Sequence, residues 1–151
     1  MNATLPVGQQ LDGDCLLCRK HRRLEQPPPG GYVFEDGHWK VCHAPPNLGP
    51  LGTLFIVSAR HFLDYAEMSD AEASAFGFCL RSTYGALRGL LGPERIYQLS
   101  SMEGVAHFHC WLVPRLAGEP ARGLKFLALD ATCREEEASA LADRLRRALQ
   151  A

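Results

Sequence analysis

The sequence predicts an α+β fold, a mainly antiparallel sheet with one long helix and a C-terminal helix. Several short apolar runs have the character of β-strands, and residues 69–92 and 132–149 show helical periodicity. Strand and helix patterns do not alternate regularly along the chain, and no internal repeat is present. Because parallel sheets need such alternation, we expect an antiparallel sheet with the helices packed on one side.

Length and composition indicate one globular domain over residues 1–151, with a core of about 14–118 and a C-terminal helix of about 132–149. The chain is 46% hydrophobic and 22% charged, and its net charge of −1 gives no basic footprint for nucleic acid. Residues 1–14 lack the basic and apolar regions of a signal peptide. No apolar run approaches the roughly 20 residues of a membrane span. We therefore expect a cytoplasmic protein without membrane or nucleic-acid partners.

The spacing of two of the six cysteines is informative. Cys15 and Cys18 form a Cys-x-x-Cys, whereas Cys79 and Cys110 fall on apolar faces and are expected in the core. In a reducing compartment such a pair performs redox chemistry or binds a metal ion, and the absence of a preceding strand pattern favours zinc. Two thiolates make half a tetrahedral site. The candidates for the other ligands are His21, Cys42, His43, His61, His107 and His109.

The first half of the chain contains three predicted strands. Two lie near residues 32–35 and 38–43, with Asp36-Gly37 as the hairpin turn between them. The Pro- and Gly-rich residues 44–52 either connect strands or line a ligand site. The continuous apolar run of residues 53–58 predicts a central strand that ends just before His61.

The second half begins with the long helix. Ser69 and Glu72 form a capping box, an apolar stripe follows at helical spacing, and Gly92-Pro93 ends the pattern. Residues 95–101 predict a strand, and residues 114–123 a loop. Thr132 and Glu135 predict a second capping box. The apolar face of the helix that follows consists of Ala138, Leu141, Leu145 and Leu149.

Strict alternation over residues 104–115 predicts one more strand, and this strand carries the candidate chemistry. Ala106, Phe108, Cys110 and Leu112 form a face suited to the core. The other face carries His107, His109 and Trp111. Packing does not require two histidines on one face, so they indicate a metal site, a nucleophile or a structural pair.

The stretch His107-Phe-His-Cys-Trp-Leu-Val-Pro-Arg115 resembles the histidine-triad (HIT) family, whose signature is three histidines alternating with apolar residues. The likeness extends from Cys15 to Arg115. The Cys-x-x-Cys resembles the zinc-binding branch of the family. The hairpin at residues 32–36, the strand leading to His61 and the long helix match the order of the family's elements.

The resemblance implies a role for each of these residues. Cys15, Cys18, His61 and His107 match the ligands of a structural Zn2+ ion. His109 matches the nucleophile, which attacks the α-phosphorus of a nucleotide derivative and forms a nucleotidyl-histidine that water cleaves. The implied substrate is a nucleoside phosphoramidate or a dinucleoside polyphosphate. The implied assembly is a homodimer formed through the long helix and a sheet edge.

The chain departs from the family pattern at three places. Trp111 replaces the third histidine, Thr53 replaces another, and Glu103-Gly104 replaces a Gln-Ser pair. Substrate contacts are expected from Trp111, Arg115, Ser101 and Thr53, with Ser100 as a further candidate for the phosphate. These departures favour an alternative, a nucleotide-binding or sensing protein of the same fold with little turnover. A third hypothesis makes His107 and His109 ligands of a catalytic zinc.

Overall fold

The computed structural model describes residues 13–151, and its centre is a five-stranded sheet. The strands are β1 (Tyr32–Glu35), β2 (Trp39–His43), β3 (Leu54–Ser58), β4 (Arg95–Leu99) and β5 (His109–Arg115). Their order is β1-β2-β3-β5-β4, and every neighbouring pair is antiparallel. The helices are α1 (Leu16–His21), α2 (Asp70–Leu91), α3 (Leu124–Leu127) and α4 (Glu135–Gln150). The predicted α+β class with an antiparallel sheet is confirmed.

One face of the sheet forms the hydrophobic core with the two long helices. Alternate residues of the central strands are fully buried on this face, because side chains leave a strand in two opposite directions. Cys79 and Leu87 of α2 and Leu141 and Leu145 of α4 are buried with them. The strand residues of this face are Trp39, Val41, Leu54, Ile56, Cys110 and Leu112.

The predicted ends of α2 are confirmed, but the predicted start of α4 is wrong. The Ser69–Glu72 capping box is formed, and Gly92 adopts the left-handed conformation after the last turn of α2. The N-cap of α4 is Arg134, and no side chain caps this helix, so Thr132 lies outside it. Instead, three glutamates in the first turn stabilise the N-terminus of α4 by interacting with the positive end of the helix dipole.

The predicted strand over residues 104–115 is wrong in its first half, since β5 begins at His109. The amide of Phe108 donates to the carbonyl of Phe62 at 2.6 Å, and the amide of Ser58 donates to the carbonyl of Phe108 at 3.1 Å. The amide of His107 donates to the carbonyl of Val105 at 2.9 Å. These bonds replace a regular strand ladder, so His107 and His109 occupy different surroundings.

The opposite face of the sheet carries the short elements. Residues of α1 and α3 line a cleft over this face together with Phe55, His109 and Trp111. The expectation that helices pack on one side therefore holds for α2 and α4 only. Across residues 13–151, no helix combines the length and the apolar character that crossing a membrane requires. The signal-peptide prediction concerns residues 1–14, of which 1–12 lie outside the described residues.

Candidate metal centre and adjoining cleft

Four side chains from three distant parts of the chain converge near the start of β5. Their ligand atoms, the thiol sulfurs of Cys15 and Cys18 and ring nitrogens of His61 and His107, lie within 4.8 Å of one another. His107 Nδ1 is 3.3 Å from Cys15 Sγ, 3.4 Å from Cys18 Sγ and 3.2 Å from His61 Nδ1. His61 Nδ1 is 3.4 Å from Cys18 Sγ. Sequence reasoning selected these four residues, and the structure brings them together.

Four of the six separations between these atoms are close to those around a tetrahedral zinc ion. With Zn–N bonds of about 2.0 Å and Zn–S bonds of about 2.3 Å, a tetrahedron places two nitrogens about 3.3 Å apart and a nitrogen and a sulfur about 3.5 Å apart. The observed distances between these atoms lie within a few tenths of an ångström of both values. Four protein ligands would leave no open coordination position, which is the arrangement of a structural site.

The surroundings of His107 prepare its ring for metal binding. Its Nε2–H donates to the carbonyl of Ser58 at 2.8 Å, which leaves the lone pair of Nδ1 pointing into the cluster. Burial lowers the pKa of His107 to about 4, so the ring is neutral at pH 7. His61 lacks such support, because its buried Nε2 has no hydrogen-bond partner within residues 13–151. The tautomer of His107 is therefore fixed by the protein itself.

His109 lies at the start of β5 and faces away from the metal cluster. Its Nδ1 is 2.7 Å from the backbone carbonyl of His107, which can only accept, so Nδ1 carries the proton. The lone pair is therefore on Nε2, which makes no hydrogen bond to any described residue. Ser100 Oγ donates to the carbonyl of His109 at 2.8 Å and helps to fix its backbone.

A cleft of about 610 Å3 opens next to His109. Its floor is the solvent-side face of β3 and β5, with Phe55, Val57, His109, Trp111 and Val113. The walls come from α1, from the loop over residues 45–50 and from the segment over residues 126–131. Most lining side chains are apolar, and such a cleft with a few polar groups is typical of small-molecule sites.

Solved structures of similar shape identify the fold. A hypothetical histidine-triad nucleotide-binding protein from Sulfolobus tokodaii has a TM-score of 0.72 at 14% identity, over 90% of this chain and 92% of that one. A HIT-like protein from Bartonella henselae, described as involved in cell-cycle regulation, has a TM-score of 0.72 at 14% identity over 93% and 99%. A zinc-bound histidine-triad family protein from Mycobacterium smegmatis has a TM-score of 0.70 at 18% identity over 93% and 96%.

The chain has the histidine-triad fold. No protein-family model matches the sequence, and no curated protein matches it at a significant level. The assignment of the fold therefore rests on the similarity to solved structures. The order of the motifs from Cys15 to Arg115 agrees with it and is independent support. Within this fold, the metal cluster and the cleft are features of the chain's own residues.

The histidine-triad fold separates the four predicted substrate contacts into two groups. Trp111 and Ser101 line the cleft next to His109. Thr53 is fully buried beneath the 45–50 loop, where its hydroxyl donates to the carbonyl of Pro50 at 2.7 Å. Arg115 lies at the other end of β5, paired with Glu94 at 2.7 Å, and does not line the cleft.

The remaining candidate ligands have other partners in the histidine-triad fold. His21 Nε2–H donates to the carbonyl of Ser58 at 3.0 Å, and its Nδ1 is 3.1 Å from the hydroxyl of Tyr32. His43 Nδ1–H donates to the carbonyl of Ala44 at 2.7 Å, and its Nε2 accepts the Gly52 amide at 2.9 Å. Burial raises the pKa of the Cys42 thiol to about 12. The hypothesis of a zinc held by His107 and His109 is also not supported, since His109 is outside the cluster.

Sequence reasoning missed several residues of the cleft. The sequence analysis placed Phe55 in a central strand but did not say which face of the sheet it occupies. Because Phe55 alternates with the buried Leu54 and Ile56, its side chain lies on the face opposite the core, where it lines the cleft. Lys20 also lines the cleft with its positively charged side chain, and it follows Cys18 by only two residues. Phe126 and Leu127 belong to a four-residue helix, which is too short to produce a periodic pattern.

Proposed function

We propose that the chain belongs to the histidine-triad family and is a nucleotidyl hydrolase or transferase that uses His109 as its nucleophile. The substrate would be a nucleoside 5′-phosphate derivative, either a phosphoramidate or a dinucleoside polyphosphate. The observation that carries this proposal is the hydrogen bond from His109 Nδ1–H to the carbonyl of His107. It fixes a proton on Nδ1, so that the neutral form of the ring has its lone pair on Nε2, and His109 lines the cleft.

In the proposed reaction, His109 Nε2 attacks the α-phosphorus and forms a phosphorus–nitrogen bond while the bond to the leaving group breaks. Water then attacks the same phosphorus and releases the mononucleotide and the neutral imidazole. The carbonyl of His107 stabilises the positive charge that the ring carries in the intermediate, because it accepts the Nδ1 proton. Ser101 lines the same cleft and offers a hydroxyl that could donate to the phosphate.

We propose that Cys15, Cys18, His61 and His107 hold a structural Zn2+ ion. The support is that the four ligand atoms lie within 4.8 Å of one another and that the His107 ring is neutral. When bound, the ion would supply folding energy rather than chemistry at the substrate, because all four positions are taken by protein. Through the backbone of His107 it would also fix the acceptor that orients His109.

A second candidate is a nucleotide-binding or sensing protein with little turnover. The composition of the cleft favours it, since Trp111 offers one neutral N–H where the family has a histidine. Loss of one donor to a developing negative charge commonly costs about 10²–10³ in rate. Tight mononucleotide binding without product formation over hours would distinguish this function from the enzyme.

We also propose a cytoplasmic homodimer formed through α2 and the edge of the sheet. The support is that β4 is an edge strand of the sheet and that Phe78 of α2 is 62% exposed. An unpaired strand edge and an exposed aromatic side chain are features that association covers. A monomeric mass in light scattering at micromolar concentration would contradict this assembly.

The test of the proposed enzyme is intact-protein mass spectrometry after rapid mixing with adenosine 5′-phosphoramidate. We expect a transient mass increase of one nucleotidyl group in the wild type, and release of the mononucleotide. His109→Ala should form no adduct and should lose at least about 10³-fold in rate, because the proposed covalent step needs the lone pair of the His109 ring. His43→Ala is the control, since His43 also lines the cleft but uses both ring nitrogens within the protein. Equal turnover in wild type and His109→Ala would reject the nucleophile.

A further inference from the structure

The cleft continues well beyond the candidate nucleophile. From His109 the floor extends along β5 to Trp111 and then to Val113, two steps that together span about 13 Å. Phe55 faces Trp111 across the β3–β5 pairing, with ring centroids 4.6 Å apart. The far end of the cleft, around Val113, is thus separated from His109 by a pair of aromatic rings.

The far end has a wall that other residues hold in place. Phe126 of α3 is 7% exposed, and its ring lies on Tyr97 at a centroid distance of 5.4 Å. The Gly123 amide donates to the Tyr97 hydroxyl at 2.8 Å, and the Cys133 amide donates to the carbonyl of Pro46 at 3.0 Å. These contacts anchor both sides of the segment over residues 124–131, so the wall is part of the fold.

Among residues 13–151, neither the floor beyond His109 nor the segment over residues 126–131 contributes a charged side chain to the cleft lining. Besides Trp111 and Val113 of the floor, the loop over residues 45–50 and the segment over residues 126–131 contribute the apolar side chains of Leu48, Phe126, Leu127 and Leu129 to the lining. Lys20, the basic residue of the lining, comes from α1 at the side near the metal cluster. A second nucleotide placed at the far end would leave its phosphates and sugar hydroxyls unpaired, which is costly in an apolar site.

We propose that the far end selects nucleoside 5′-phosphate derivatives whose α-phosphate carries an extended hydrocarbon group, and that Leu127 determines this preference. The inference rests on the proposed function, because it places the α-phosphorus at His109. The hydrocarbon group then extends past Trp111 toward the wall formed by α3. The apolar far end therefore disfavours dinucleoside polyphosphates as substrates and favours derivatives with an aliphatic substituent.

The experiment measures the binding of three probes, the methyl, butyl and octyl esters of adenosine 5′-monophosphate, by calorimetry on the zinc-loaded protein. Alcohols are poor leaving groups, so binding is read without turnover. Each buried methylene can increase affinity by up to about fourfold. We expect the octyl ester to bind at least tenfold more tightly than the methyl ester in the wild type.

Two variants of the same short helix separate the cleft wall from its outer surface. Leu127→Ser should reduce the octyl-to-methyl affinity ratio by about tenfold and leave methyl-ester binding unchanged, because Leu127 lines the cleft. Leu124→Ser is the matched control, since Leu124 is 84% exposed and outside the cleft lining. It should keep the wild-type ratio.

Three results would overturn the inference. They are an affinity independent of chain length in the wild type, an equal loss of the ratio in both variants, and dissociation of a dimer on saturation with the octyl ester. The last would show that a second copy of the chain covers the far end. Failure of the proposed enzyme is read separately, from the absence of an adduct on His109, and leaves the chain-length series unchanged.

Discussion

At the scale of single residues, His107 links the candidate metal centre to the candidate nucleophile. Its Nδ1 faces the two thiols and His61, and its Nε2–H donates to the carbonyl of Ser58. Its own carbonyl accepts the Nδ1 proton of His109 at 2.7 Å. A change in the metal cluster therefore reaches His109 through a single peptide unit.

The four-residue metal centre predicts that substituting two half-buried cysteines, one inside the cluster and one outside it, has different effects on zinc content and stability. Cys15→Ser should lower the zinc content from about one ion per chain to a small fraction and the free energy of unfolding by about 2 kcal/mol or more, because metal binding energy contributes to folding. Cys133→Ser, outside the cluster, should retain zinc and change stability by less than about 0.5 kcal/mol. Elemental analysis and urea unfolding provide the two measurements.

Retained stoichiometric zinc and unchanged stability in Cys15→Ser would reject the quartet. A loss of zinc with full stability would also contradict the structural role, because a closed four-ligand site is expected to stabilise the fold. Both measurements are made on the protein without substrate, so they do not depend on the proposed role of His109.

At the scale of elements, the metal centre and the cleft share helix α1. This helix has only six residues, which is too short to be stable by itself in water. Cys15 precedes it and Cys18 lies within it, so two ligands of the cluster anchor its first turn. Leu16 and Leu17, between these cysteines, line the cleft. The candidate zinc ion would thus hold one wall of the cleft in position.

The first turn of α2 predicts a pH dependence of stability. Glu72 accepts two hydrogen bonds from Arg60, at 2.8 and 2.9 Å, and one from the Ser69 amide at 2.8 Å. The bonds from Arg60, chiefly, lower the pKa of this buried carboxyl to about 2. Since the folded-state pKa lies below the unfolded value, the stabilisation is present above about pH 4.5 and is lost as the pH falls toward 2.

We therefore expect Glu72→Gln to reduce the free energy of unfolding by about 2 kcal/mol at pH 7, a value typical of hydrogen bonds to charged groups. The difference from wild type should shrink between pH 4.5 and 2. Comparing the two proteins at each pH removes the common effect of acid on the metal ligands. Glu35→Gln is the control, because this exposed partner of Lys40 should contribute less than about 0.5 kcal/mol. A difference that does not vary with pH would contradict the assignment.

The elements with long patterns could be predicted from the sequence, and the short ones could not. Helix α2 has six turns between two recognisable ends, Ser69 and Gly92, so propensity and packing agree along it. The strand through His107 was predicted too long, because its alternating pattern continues into residues that hydrogen-bond to Phe62 and Ser58 instead. Helix α3 has four residues and gains its position from Tyr97, a contact that no local pattern reveals.

The candidate site, too, could be predicted from the sequence only in part. Cys15, Cys18, His61 and His107 could be brought together from the sequence because the family motif relates positions far apart along the chain. The far end of the cleft could not, since it depends on where the segment after β5 returns to the sheet. This segment follows the motif, so the resemblance, which ends at Arg115, contains no information about it.

At the scale of the whole molecule, the two faces of the sheet differ, since one packs into the hydrophobic core and the other lines the cleft. The face toward α2 and α4 holds the large buried side chains, and the other face holds His109 and the cleft. Helix α4 closes the core against β1, and Arg146 on this helix donates to the carbonyls of Gly30 and Tyr32. The C-terminal part of the chain therefore contributes to both faces, through α4 on one and residues 126–131 on the other.

The close approach of α4 to the start of β1 predicts different effects of the same substitution at two neighbouring glycines. Both Gly30 and Gly31 have positive φ, of 69° and 79°. A Cβ on Gly30 would lie 2.6 Å from the Cβ of Ala142 and 3.0 Å from the carbonyl oxygen of Ser139, whereas a Cβ on Gly31 would have no atom closer than 3.6 Å.

Gly31→Ala should therefore lose only the cost of the left-handed conformation, about 1 kcal/mol of the free energy of unfolding. Gly30→Ala should lose about 2 kcal/mol more, because α4 must move away from the sheet edge to admit the methyl group. Urea unfolding of both variants at one pH measures the difference, which cancels the shared backbone term. Equal losses would mean that α4 can shift without cost. The core would then not depend on the tight seating of α4 against β1.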